Sequence, residues 1–232
     1  MAPAPHLFIA SLGNPGAQYA LTRHSAGHIL LSALASHLGI DFSHSISGHP
    51  AARTTVLLPP PKSPHKQRRP KSPPDGSTPP PSPPPPAVED RVEWTLFPSP
   101  AYMNDSGPAV LKAYKSHLRS SSPSDRPTRL IVLYDSLDHQ PAALVLRNPA
   151  NGLSAKGHNG IKSLLAACGA DRDLRGLEWG RIGVGIGRGG GEKGSREAGD
   201  VSRWVLGRMR GEEVERLRGE VGRLRGLLEG IR

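Results

Sequence analysis

Residues 7–38 constrain the fold most strongly, because three local patterns follow one another there. Residues 7–12 (LFIASL) form an apolar run that predicts a short buried strand. Residues 13–16 (GNPG) are typical of a tight turn. From residue 26 to residue 38 the apolar side chains recur at helical spacing. A buried strand, a turn and an amphipathic helix in this order indicate an α/β protein.

Further strands are predicted along the chain, and they support the same fold class. Residues 53–58 and 91–97 are apolar or alternating and predict a hairpin with a very long loop. Residues 130–134 (LIVLY) are the clearest buried strand, and residues 142–147 and 181–187 predict two more. We expect helices over residues 106–118 and 161–167, and a short element at 201–206.

The C-terminal residues 211–232 predict one amphipathic helix. Its apolar stripe comprises Val214, Leu217, Val221, Leu224 and Leu228. We expect this stripe to pack on the domain. A coiled coil is the alternative, but three heptads that contain several glycines favour it less.

Residues 59–86 differ in composition from the rest of the chain. Half of them are proline, several are lysine or arginine, and almost none is apolar. Such a stretch buries too little apolar surface to offset the entropy of ordering, so we predict a basic, disordered insertion. Concentrating the prolines here also explains an overall hydrophobic content of only 36%. The remaining residues, 1–58 and 87–232, are then predicted to form a single domain.

The formal net charge of +10 points to a polyanionic partner, with nucleic acid favoured over a membrane. A basic disordered segment on an otherwise neutral enzyme is the alternative. Cys168 is the only cysteine, which excludes an intramolecular disulfide and a cysteine-based zinc site. No apolar run approaches the length of a membrane span, and the first residues do not resemble a secretory signal.

Five polar residues are predicted at the ends of strands or the starts of helices: His24, Asp135, Asn14, Asn104 and Asn159. A carboxylate beside a histidine fixes its tautomer and stabilises its protonated form, which makes a general base. Asparagine side chains both donate and accept, so they can hold a peptide or a polarised carbonyl. No serine occupies a nucleophile turn, so the base would activate water. Each residue alone also fits an ordinary turn or helix cap.

Five segments carry distinctive combinations of glycine, asparagine, histidine and aspartate, and they span nearly all of the chain outside residues 59–86. The segments are LGNPGAQYALTRHSAGH at 12–28, YMNDSG at 102–107, YDSLD at 134–138, GHNGIKSL at 157–164 and RIGVGIGR at 181–188. Together, and in this order, they resemble the motifs of the bacterial-type peptidyl-tRNA hydrolase family.

This resemblance implies a three-layer α/β/α domain with a twisted mixed sheet, and hydrolysis of the ester that joins a peptide to tRNA, without metal or cofactor. It implies His24 as the catalytic base and Asp135 as its partner. It implies that Asn14, Tyr19, Met103, Asn104 and Asn159 contact the substrate, and that Arg181 and Arg147 contact tRNA phosphates.

The sequence departs from the family pattern at Ser25, where asparagine is usual, at Ser136, where an acidic residue is usual, and over residues 148–156. None of these changes removes a predicted catalytic group. A non-catalytic RNA-binding protein on the same scaffold is the main alternative, and the presence of both His24 and Asp135 argues against it. A monomer is expected, and the sequence fits a cytoplasmic or a mitochondrial protein.

Overall fold

A computed structural model describes residues 4–59, 90–121, 126–149, 154–175, 177–189 and 197–231. In these ranges the strands are β1 (His6–Ser11), β2 (His44–Ile46), β3 (His49–Leu58), β4 (Asp90–Pro98), β5 (Thr128–Ser136), β6 (Leu144–Arg147) and β7 (Trp179–Gly185). The α-helices are α1 (Ala26–His37), α2 (Ser106–Ser120), α3 (Asn159–Ala170), α4 (Ala198–Leu206), α5 (Gly211–Gly219) and α6 (Val221–Glu229). Short 3₁₀ turns at Arg23–Ser25 and Met103–Asp105 lead directly into α1 and α2.

The strands form one mixed sheet in the order β2-β3-β4-β1-β5-β7-β6. Neighbours in the central group β4, β1, β5 and β7 are parallel, whereas β2, β3 and β6 are each antiparallel to their neighbours. The hairpin predicted from residues 53–58 and 91–97 is confirmed, because β3 and β4 pair from Ala52 with Leu96 to Leu58 with Asp90. The α/β class and the mixed sheet are therefore confirmed.

Helices cover both faces of the sheet, and successive side chains of β1 point alternately to the two faces. Leu7 and Ile9 pack with the buried side chains of α1, α5 and α6. Phe8 and Ala10 point to the other face and pack with those of α2 and α3. A strand that is buried on both faces must be apolar throughout, which explains the continuous apolar run in the sequence. The result is the expected three-layer arrangement.

The C-terminal segment packs on the domain as predicted, but it is divided into two helices. α5 ends at Gly219 and α6 begins at Val221, so the single helix expected over 211–232 is interrupted at Glu220. Gly219 and Gly222 flank the junction, and glycine has a low helix propensity. Four residues of the apolar stripe are buried, and Val221 is half-buried. The edge strand β2 was not predicted, because its sequence, HSI, lacks a strand pattern.

None of the helices in the described part of the chain is long and apolar enough to cross a membrane. The insertion predicted at 59–86 lies outside the described residues except for Pro59, so its disorder stays a prediction.

One buried histidine should make the stability of this fold depend on pH. His117 of α2 packs against Phe8, with 5.3 Å between the ring centroids, and its Nδ1 accepts a hydrogen bond of 3.1 Å from Arg53. Burial, followed by the positive charges of Arg53 and His6, lowers the pKa of His117 from 6.5 to about 4. The unfolded chain therefore binds a proton more readily than the folded protein between these two values.

We therefore expect the free energy of unfolding to fall as the pH is lowered from 7 to 5, with His117 responsible for about 2 kcal/mol. Urea unfolding at both pH values measures this loss. His117→Gln keeps an acceptor for Arg53 but does not titrate, so the difference between the two pH values should shrink by about that amount. His37→Gln, at the exposed end of α1, is the control and should leave the difference unchanged. An equal pH dependence in wild type and His117→Gln would contradict the assignment.

Candidate active site

The two predicted catalytic residues and several of the residues predicted to contact the substrate gather at one edge of the sheet. Because β4, β1, β5 and β7 are parallel, their carboxyl ends lie at the same edge. Asn14 follows β1, Met103 follows β4, and Asp135 is the next-to-last residue of β5. This is the edge at which α/β proteins commonly bind ligands.

His24 and Asp135 are in direct contact although 111 residues separate them in sequence. His24 Nδ1 lies 2.9 Å from Asp135 Oδ1. The Asp135 side chain is 2% exposed and that of His24 is 15% exposed. An ionised carboxylate can only accept, so Nδ1 carries the proton and donates it to Asp135. The lone pair of a neutral His24 is then on Nε2, which is the arrangement that a general base requires.

Arg23 anchors the 3₁₀ turn that carries His24. Its guanidinium donates two hydrogen bonds of 2.9 Å to the Glu213 carboxylate and lies 3.7 Å from the centroid of the Trp204 ring. The Arg23 backbone N–H also donates to the Gly207 carbonyl at 3.1 Å. The position of His24 thus depends on contacts with the segment from α4 to α5, which the sequence reasoning did not foresee.

A second histidine, His158, also contacts Asp135 and was not among the predicted site residues. Its Nε2 lies 2.9 Å from the same Oδ1 atom, and its Nδ1 accepts a hydrogen bond of 3.2 Å from the Ile161 backbone N–H. His158 is therefore the N-cap of α3. A histidine directly before a helix start predicts at most a helix cap, and no local sequence pattern predicts its contact with Asp135.

The two histidines account for the ionisation of Asp135. Burial by itself would raise the pKa of this carboxyl group. The electrostatic attraction and the hydrogen bond of His158, followed by the hydrogen bond and the electrostatic attraction of His24, outweigh burial and hold the pKa of Asp135 well below its usual range. Asp135 is consequently a carboxylate at neutral pH and cannot serve as an acid there.

The Asn14 side chain joins the loops that follow β1 and β4. Its Oδ1 accepts a hydrogen bond of 3.0 Å from the Met103 backbone N–H, and its amide NH₂ donates no hydrogen bond to another described residue. Met103 is buried, and a Cβ atom added to Gly160 of α3 would come within 2.5 Å of its sulfur. A side chain at position 160 would therefore displace Met103, and glycine allows α3 to pack closely against it.

His24, Asp135 and His158 are also the group that comes nearest to a metal site in the described ranges, since their ligand atoms lie within 4.8 Å of one another. Both histidine nitrogens, however, are at hydrogen-bonding distance from one oxygen. His158 Nε2 must carry a proton because Nδ1 is an acceptor, so this nitrogen donates and offers no lone pair to a metal. Cys168 lies in α3, and burial raises the pKa of its thiol to about 11, which makes it a poor nucleophile.

Comparison with known proteins identifies the family. The sequence model of the peptidyl-tRNA hydrolase family matches residues 8–61 and 87–229. The chain belongs to the peptidyl-tRNA hydrolase family. A peptidyl-tRNA hydrolase from Saccharomyces cerevisiae is 29% identical over 211 residues, which cover 91% of this chain and 88% of the yeast protein. One from Desulfitobacterium hafniense is 30% identical over 206 residues, which cover 89% and 82% of the two chains.

The fold agrees with this membership. The crystal structure of a peptidyl-tRNA hydrolase from Acinetobacter baumannii superposes with a TM-score of 0.62 at 22% identity, and the match covers 100% of this chain and 90% of that one. The resemblance noted from the sequence motifs is thus confirmed. The family match also leaves out residues 62–86, which lie in the Pro-rich stretch.

The remaining residues that the peptidyl-tRNA hydrolase resemblance implied for the substrate lie around this edge. Tyr19 is half-buried, and its ring packs edge-on against the exposed Tyr102, with 6.2 Å between the centroids. Asn104 is exposed in the turn before α2, and Asn159 is exposed as the first residue of α3.

The two arginines implied for tRNA phosphates differ in accessibility. Arg147 is exposed at the end of β6. Arg181 is 4% exposed, donates a hydrogen bond of 2.8 Å to the Ser154 carbonyl, and lies 5.7 Å from the centroid of the Tyr134 ring. In this conformation Arg181 supports the loop before α3 rather than facing solvent. In the sequence both arginines belong to predicted strands, and a strand pattern does not show that Arg181 is buried while Arg147 is exposed.

Replacing Arg23 tests whether the α4–α5 segment holds the His24 turn. Arg23→Met removes the two hydrogen bonds to Glu213 and deprives that carboxylate of its guanidinium partner. We expect the free energy of unfolding to fall by about 2 kcal/mol, and catalytic efficiency to fall as well because His24 becomes less well positioned. Urea unfolding and steady-state kinetics measure the two effects.

Arg203→Met is the matched control, because the Arg203 side chain is 83% exposed in its pair with Asp200. It should change the free energy of unfolding by no more than about 0.5 kcal/mol. Equal effects of the two substitutions would show that the Arg23 contacts contribute nothing specific to the site.

Proposed function

We propose that this protein hydrolyses the ester bond between the peptide and the tRNA in peptidyl-tRNA, releasing free tRNA and free peptide. The observation that carries the proposal is the 2.9 Å contact between His24 Nδ1 and the buried carboxylate of Asp135, in a chain that belongs to this family. The reaction belongs to translation, which occurs in the cytosol and in mitochondria, and the proposal covers both compartments. We take the active species to be a monomer.

In this scheme His24 acts on water. Nε2 removes a proton from a water molecule as the water oxygen attacks the ester carbonyl carbon, and Asp135 stabilises the imidazolium that forms. The tetrahedral intermediate then collapses, and the bond from the carbonyl carbon to the ribose oxygen breaks. The imidazolium returns its proton to the ribose oxygen, so His24 is neutral again at the end. The scheme requires no metal and no cofactor.

Neutral amides and apolar side chains around the pair fit the substrate. The free amide NH₂ of Asn14 is placed to donate to a carbonyl oxygen of the peptide, and Asn104 and Asn159 present exposed amides on neighbouring elements. We assign Tyr19 and Met103 to the walls of the cleft. Because these contacts are not specific for one side chain, the enzyme can accept many peptides.

Positive charge fits the tRNA. The net charge of +10 favours a polyanion, and Arg147 is exposed at the end of β6 to contact a phosphate. Arg181 reaches a phosphate only if it releases the Ser154 carbonyl, so we assign it a direct contact only after movement of the loop that contains Ser154.

The first test compares hydrolysis of peptidyl-tRNA and aminoacyl-tRNA by the wild type and by His24→Ala. We expect release of peptide from the first substrate only, and a loss of about 10²–10⁴-fold in the variant, because the general base is removed. His37→Ala removes an exposed histidine at the end of α1 and should retain full activity. A chelator should not change the wild-type rate.

Two outcomes contradict this proposal. Full activity of His24→Ala would refute the assignment of the base. An inactive wild type that still binds tRNA would instead favour a non-catalytic RNA-binding protein.

The contribution of Arg147 is tested by the salt dependence of tRNA binding. Arg147→Ala should weaken binding and reduce the slope of log Kd against log salt concentration by about 1, since one phosphate contact is lost. Arg119→Ala, at an exposed position near the end of α2, is the matched control and should leave the slope unchanged. Identical slopes for Arg147→Ala and wild type would remove Arg147 from the tRNA interface.

A further inference from the structure

The scheme above gives no role to His158, although both of its ring nitrogens are engaged. Nδ1 accepts the Ile161 backbone N–H at 3.2 Å, and Nε2 contacts Asp135 Oδ1 at 2.9 Å. The ring also packs edge-on against Tyr134, with 5.1 Å between the centroids. The His158 side chain is 10% exposed, so these contacts restrict its orientation.

The contact with Ile161 determines which nitrogen of His158 carries the proton. A backbone N–H can only donate, so Nδ1 must be unprotonated and the neutral ring carries its hydrogen on Nε2. That hydrogen points at Asp135. Protonating Nδ1 would break the helix cap and place a positive charge at the positive end of the α3 dipole. The first turn of α3 therefore keeps His158 as a fixed donor to Asp135.

We infer that His158 is a positioning residue, which uses this fixed Nε2–H to hold Asp135 in place and to share its negative charge between two imidazole rings. The inference rests on the proposed function, in which His24 must be neutral in order to accept a proton. With a single donor, the whole charge of the carboxylate would act on His24 and would favour its protonated form. With two donors on the same oxygen, that effect is reduced and the carboxylate cannot rotate freely.

The other titratable groups around this cluster come from four elements. Tyr134 of β5 packs on His158, and burial raises the pKa of its hydroxyl group. The positive charges of Arg181 of β7 and Arg147 of β6 lower the pKa of Tyr134, and the negative charge of Asp138, which follows β5, raises it. Arg23 is adjacent to His24 but is directed to Glu213. None of these other groups hydrogen-bonds to Asp135 within the described ranges, where its hydrogen-bond donors are His24 and His158.

Two substitutions separate the two contacts of His158. In His158→Asn the side-chain oxygen can still cap α3 in the place of Nδ1, but the amide is too short to reach Asp135. In His158→Gln the longer side chain can place its NH₂ group near the position of Nε2, but it no longer caps α3 well. Asparagine thus tests the loss of the donor, and glutamine tests the loss of the cap.

For His158→Asn we expect near-normal stability, a fall of about tenfold in kcat at pH 7, and an unchanged KM. The acidic limb of the kcat/KM profile should move to higher pH, because the negative charge of Asp135 is then no longer shared with a second donor and acts on His24 alone. For His158→Gln we expect lower stability, with most of the kcat and the wild-type pH profile retained. The glutamine variant thereby serves as rescue by a donor of similar reach.

Ala166→Gly is the control for a general weakening of α3, since it removes helix propensity at an exposed position away from Asp135. It should reduce stability without moving the pH profile. A His158→Asn profile that coincides with that of the wild type, or a His158→Gln variant as impaired in kcat as His158→Asn, would overturn the inference.

Nitrogen-15 NMR of the histidine rings in the wild type distinguishes failure of this inference from failure of the proposed function. We expect the Nε2–H tautomer at His158 and the Nδ1–H tautomer at His24. If the wild type does not hydrolyse peptidyl-tRNA but shows these tautomers, the proposed function fails while the donor arrangement stands. An Nδ1–H tautomer at His158 would refute the arrangement regardless of activity.

Discussion

The buried carboxylate of Asp135 is the constraint on which the site depends. A charge that is 2% exposed is stable only if donors replace the water it has lost, and here two imidazole rings supply them. One ring comes from the turn after β1 and the other from the start of α3. These elements lie on opposite sides of β5 in the chain, so Asp135 is compensated only once most of the domain has folded.

The C-terminal helices help to position the catalytic residues, as the strands do. Arg23 reaches across to Glu213 and Trp204, and its neighbour His24 is oriented as a consequence. Glu213 in turn accepts a hydrogen bond from the Arg210 backbone N–H at the start of α5. The apolar stripe of α5 predicted only packing on the domain, but through Glu213 this helix also positions the general base His24.

Local sequence patterns predicted most of the fold. The features that were not predicted depend on contacts between elements that are distant in the sequence. The strands at residues 7–12 and 130–134 were predicted because strands buried on both faces are continuously apolar. His24 and Asp135 were candidates because each is predicted next to a strand end or a helix start, and their roles as base and partner came from the family resemblance. His158 was missed because its importance arises from a contact with a residue 23 positions earlier, which no local pattern records. The burial of Arg181 escaped prediction for the same reason, since it depends on Ser154 and Tyr134.

The direction of β4 places the two ends of the long hairpin connection, Leu58 and Asp90, away from the catalytic residues. β4 is parallel to β1, and its nine residues run from Asp90, beside the end of β3, towards the catalytic edge. At about 3.3 Å per residue, the two ends of the strand are roughly 30 Å apart. The chain therefore leaves and rejoins the sheet on the side remote from His24. At this end of the sheet the chain must satisfy the pairing of Leu58 with Asp90, whereas at the opposite end it must satisfy the geometry of proton transfer.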